Sequence, residues 1–71
     1  PSSAATQKTV EKLDRRMEEL RGKIAILDDA LADPALYSEA PMKAADFTRL
    51  RAKLAADLED TENQWLAAQL E

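Results

Sequence analysis

Lys8, Lys12, Arg15, Arg16, Arg21 and Lys23 crowd into the early part of this chain, and Lys43, Arg49, Arg51 and Lys53 follow later. Cations spaced along one segment do one thing well: they track a phosphate backbone, displacing the counterions condensed on it. Lys8, Lys12, Arg15, Arg16 and Lys23 are therefore the candidate nucleic-acid-binding residues. The competing reading is an ordinary solvated face. Glu11, Asp14, Glu18 and Glu19 are interleaved with these cations, and Asp57, Glu59, Asp60 and Glu62 come back opposite them. A cation already neutralised by a carboxylate releases few counterions on binding.

Other chemistry finds little footing. The 71 residues contain neither His nor Cys, which removes the commonest general base, the commonest metal ligand and any thiolate. No Gly-rich loop cradles a phosphate, and no nucleophile sits in a recognisable setting. The expectation is a chain without catalytic residues, metal or cofactor of its own. A net charge of −4 argues against a strongly basic module, though not against a local basic strip. No apolar run approaches the roughly 20 residues that span a bilayer. The opening PSSAATQ lacks the basic start and apolar core of a signal peptide, so a soluble, cytoplasmic fragment is expected.

The elements that carry the cations are helical. Leu, Ala, Glu, Lys, Arg and Asp dominate, with a single Gly. Val10, Leu13, Met17, Leu20, Ile24, Leu27 and Leu31 step by three and four, the seam of a coiled coil. Gly22 falls on the outward side of that seam. Thr6, or else Thr9, is the expected N-cap. Asp33-Pro34 ends the helix, because a residue before proline is pushed out of the helical region.

A second stripe runs through Phe47, Leu50, Leu54, Leu58, Thr61, Trp65 and Ala68. Its extra step of four reads as a stutter that keeps Asp57 out of the seam. Ser38 or Ala40 caps this helix, with Pro41 in the first turn. Folded back on the first, the second stripe pairs Leu31 with Phe47 and, layer by layer, Val10 with Ala68. The same register sets Arg21 near Asp57, Arg16 near Glu62, and Asp28 between Arg49 and Arg51. The reading is all-α: a two-helix antiparallel coiled-coil hairpin with a proline-bounded turn. Residues 1–5 read as a linker, with a helix over about 6–32, a turn over about 33–40 and a helix over about 41–70. Within the turn, Leu36 and Tyr37 either cap the last apolar layer or form a tip that contacts a partner. Trp65 takes a seam position, which favours packing over binding.

Several of these residues also carry a likeness. Glu19, Leu20, Ile24, Leu27 and Leu31, the turn residues Ala32, Asp33, Pro34, Leu36 and Tyr37, and the late Trp65 follow one pattern. It resembles the C-terminal coiled-coil domain of the ABC-F subfamily of ATP-binding-cassette ATPases, of the Uup type, over most of the chain. Ala40 departs from it, standing where the family usually has Asp before proline, and the basic lead-in is only partly present as QKTVEKLDRR. The resemblance implies an accessory tail on ATPase domains that would hold ATP and Mg elsewhere in the parent. It further implies DNA binding by the hairpin, with DNA or ribosomal RNA as partner and no membrane. The alternative is a structural stalk that positions the ATPase domains or docks a partner protein through its acidic second helix.

Overall fold

The computed structural model describes residues 3–70. They form three helices, α1 (Ala4–Leu31), α2 (Pro34–Glu39) and α3 (Pro41–Gln69), with no strand among the described residues. The protein is all-α.

Helix α1 starts earlier than its threonines suggest. Ser3 is the N-cap, in extended conformation, and its Oγ accepts the Thr6 N–H at 3.1 Å. Thr6 Oγ1 lies 3.0 Å from the same hydroxyl, while Thr9 Oγ1 donates back to the Ala5 carbonyl at 3.0 Å, a mid-helix bond rather than a cap. Ala4 and Ala5, expected in a linker, are therefore helical because Ser3 supplies the first acceptor. Pro1 and Ser2 of that linker lie outside the described residues.

The stop after Leu31 is also a start. Asp33 is extended (φ −84°, ψ 113°), as a residue before proline must be, and its Oδ1 accepts the Ala35 N–H at 3.0 Å. An Asp N-cap with Pro at the first helical position is a complete initiation signal, so the expected turn contains the six-residue helix α2. Ala40 then breaks the chain once more (φ −143°, ψ 63°). It begins α3 with no side-chain cap, whereas Ser38 bonds back to the Ala35 carbonyl inside α2. Pro41 occupies the first turn of α3, where its missing N–H costs nothing.

Two ion pairs fix how the long helices lie. Arg21 Nη2 reaches Glu62 Oε2 at 3.4 Å, and Arg51 Nε reaches Asp28 Oδ1 at 2.6 Å. The α3 partner falls from 62 to 51 as the α1 partner rises from 21 to 28, so α3 runs back along α1. The result is a rod of 54 × 14 × 12 Å. Of the expected flanking pairs, Asp28–Arg51 forms, but Arg21 meets Glu62 rather than Asp57. Arg21 and Glu62 line the same flank of the seam, whereas Asp57 lies on the other flank beside Arg16. Arg16, expected near Glu62, turns to Glu19 instead (3.6 Å), and Arg49 pairs with Asp46 within α3.

Every expected seam position of α1 is buried or half-buried, with Met17, Leu20 and Leu27 buried and Leu20 fully so. The α3 seam differs from expectation. Leu50 is 45% exposed at the edge, while Ala44 is buried and Arg51 half-buried. Among the protected positions, 44, 47, 51, 54, 58, 61, 65 and 68 form an unbroken alternation of three and four that needs no stutter, with half-buried Ala55, Asp57 and Glu62 beside it. Arginine fits there because its apolar stem covers the seam while its guanidinium, paired with Asp28, stays at the surface. Thr61 is buried too, its hydroxyl satisfied by the Asp57 carbonyl at 2.7 Å.

Candidate nucleic-acid interface

Helix α1 turns about 100° per residue, so its outward face can be placed from the seam. Lys8, Lys12, Arg15, Arg16 and Lys23 fall within an arc of about 100° and along roughly 22 Å of axis. All five are exposed. The helix thus gathers every candidate cation of the strip onto one side of the rod.

Their electrostatic settings divide them. Glu19 lies inside the arc, 3.2 Å from Lys23 Nζ and 3.6 Å from Arg16 Nη1, and ties both cations to itself. Among the described residues no carboxylate comes within ion-pair distance of Lys8, Lys12 or Arg15. The strip therefore has an unpaired N-terminal part and a C-terminal part in which two cations share one carboxylate. Arg51, on the other helix, is committed to Asp28. Their hydrogen bond, reinforced by the charges, raises the guanidinium's pKa; the same hydrogen bond holds the Asp28 carboxyl below its ordinary value against a smaller desolvation effect.

The two tip candidates are held in place. Leu36 is half-buried. Tyr37 is 50% exposed, and its hydroxyl donates to the Leu31 carbonyl at 2.6 Å. That carbonyl ends α1 and has no intrahelical donor, so the phenol acts as a C-terminal cap while one side of the ring faces solvent.

One feature of the opposite flank escaped the periodicity argument. Met17, Trp65 and Leu66 line a surface cleft rimmed by Asp14, Glu59 and Glu62 together with Arg21 and Asn63. Trp65 is half-buried, as a seam position requires, but its Nε1–H is buried with no acceptor among the described residues. The adjacent pair Trp65-Leu66 was the only sequence signal, since two consecutive large apolar residues on a helix cannot both face one seam.

No helix among the described residues is long and apolar enough to cross a membrane, and no three metal-binding side chains converge there. The molecule is an all-helical rod whose distinctive chemistry lies on its surface. The family model of the ABC transporter C-terminal domain matches residues 2–69, and the chain belongs to that family. Neither a characterised protein nor a solved structure matches it.

Proposed function

We propose that this chain is the nucleic-acid-binding accessory domain of a Uup-type ABC-F ATPase, and that it contacts DNA through the outward face of α1. In this reading α1 and α3 form an antiparallel coiled-coil arm with a proline-bounded tip. The arm carries no catalytic residue. ATP and Mg belong to ATPase domains elsewhere in a cytoplasmic parent, and the arm delivers the nucleic acid to them.

The observation that supports the reading is the unpaired, exposed row Lys8, Lys12 and Arg15 on a member of this family. Arg16 and Lys23 extend it, at the cost of breaking their contacts with Glu19. Exposed ion pairs of that kind are worth about 0–1 kcal/mol, so a phosphate can compete for both cations.

The test is fluorescence anisotropy of labelled duplex DNA and structured RNA at about 50 and 200 mM salt. Three to five phosphate contacts predict a fall in affinity of about 40- to 500-fold across that range. Lys12→Ala with Arg15→Ala should flatten the slope of log K against log salt by about 1.8. No binding at the lower salt would sink the proposal and leave the stalk or protein-docking reading. A preference for RNA over duplex DNA would move the assignment to ribosomal RNA.

A further inference from the structure

The cleft on the flank away from the basic strip has the composition of a helix-docking groove. Met17 forms a soft, adaptable floor, Trp65 a large flat wall, and Leu66, 55% exposed, an apolar edge with nothing packed over it. Its rim is acidic. Glu62 is occupied by Arg21, whereas Asp14 and Glu59 have no ion-pair partner among the described residues. Glu11 continues the negative edge one turn toward the free end, beside Val10 and Gln69.

We infer that this cleft is a docking site for a basic amphipathic helix of a partner protein. The apolar face of such a helix would cover Met17, Trp65 and Leu66, and its lysines or arginines would meet Asp14 and Glu59. Charge selects this occupant: a nucleic acid or an acidic peptide would be repelled by the rim. The orphan Nε1–H of Trp65 gives the site a further use for a partner, since the indole lacks an acceptor that an incoming chain can bring. The inference is independent of DNA binding, because Lys8, Lys12 and Arg15 lie on another face of α1.

Trp65 is the chain's single tryptophan, so its emission reads the site alone. The probe is an amphipathic peptide of about 18 residues, leucine and lysine in helical spacing, titrated into the 71-residue chain. A saturable emission shift with one peptide per chain is expected. Asp14→Lys with Glu59→Lys should weaken binding at least about tenfold. Both positions are exposed, and helicity by circular dichroism checks that the variant folds. Leu66→Ala should weaken it several-fold with no change of charge. Asp57→Lys with Asp60→Lys, which alters the opposite flank beside Arg16, should leave affinity within about twofold. Equal weakening by both charge variants would overturn the site in favour of general charge attraction. An equal response to a leucine–lysine peptide of scrambled spacing would overturn the helix requirement. A mass that doubles without peptide, with the Trp65 emission shifting alongside, would show the cleft taken by a second copy and overturn the partner assignment.

Discussion

The two ends of the rod are closed by different means. At the turn end, Leu27 is buried, Arg51 grips Asp28 with two hydrogen bonds, and Tyr37 caps the last carbonyl of α1. At the open end, Ala68 is buried but Val10 and Leu13 are only half-covered, and the nearest cross-helix ion pair is Arg21–Glu62 at 3.4 Å. Between them stands Leu20, among the described residues the one large side chain wholly removed from water. Apolar cover alone does not separate the ends, since Leu31 and Phe47 at the turn are half-buried like Val10 and Leu13; the polar anchors do. Lys8, Lys12 and Arg15 and the Trp65 cleft sit in the looser half, where side chains can adjust to a partner, while the turn end supplies the anchor. Local opening should therefore begin at the free ends.

The largest test of this contrast compares two leucines. Leu27→Ala should cost about 2–4 kcal/mol, because it truncates a buried seam side chain. Leu13→Ala should cost about half as much, since part of its surface is already wet. Chemical denaturation of both variants measures the difference. Equal costs would show that the two ends are packed alike. Amide exchange should agree, with slower exchange around Leu27 than around Leu13.

A smaller effect isolates the polar side of the anchor. Tyr37→Phe keeps the ring but leaves the Leu31 carbonyl without its donor, a loss of about 0.5–1.5 kcal/mol. Amides of α2 should exchange faster in that variant while those near Val10 do not change. Uniform acceleration would mean that the phenol supports the whole rod rather than its tip.

How far the sequence announced this division depends on the kind of residue. The α1 seam from Val10 to Leu31 was legible because its apolar residues keep one period without exception. The α3 seam departs from its apolar pattern at one step. Leu50 looks like a seam residue and Arg51 does not, yet a long stem with a paired head can hold a position that a short carboxylate cannot. Helix α2 is hard to see in the sequence because Asp33-Pro34 reads equally well as the stop of α1 and the start of a new helix. The basic strip was legible as a cluster, but its division at Glu19 depends on which carboxylate each cation reaches, and periodicity does not set that. The Trp65 cleft was illegible for the same reason: its acidic rim is assembled from two helices distant in sequence.

The subtlest way to separate the two ends uses acid. Hydrogen bonding from Arg51 lowers the pKa of Asp28 in the folded rod below the 3.8 of an ordinary aspartate. A carboxyl whose folded pKa is depressed adds stability that is fully present above its unfolded value. That stability disappears as pH falls through the lower folded value. The pair should therefore be intact at about pH 5 and above, and lost over the acidic range below the ordinary aspartate value. Both groups are solvent-exposed, so the effect is small and shows best in local exchange around Leu27 and Leu54. In Asp28→Asn the carboxyl is gone and this part of the acid response should flatten, leaving the open end unaffected. If instead the variant loses turn-end protection identically with pH, Asp28 is not what ties α3 to α1 there, and Leu27 and Tyr37 carry the anchor alone.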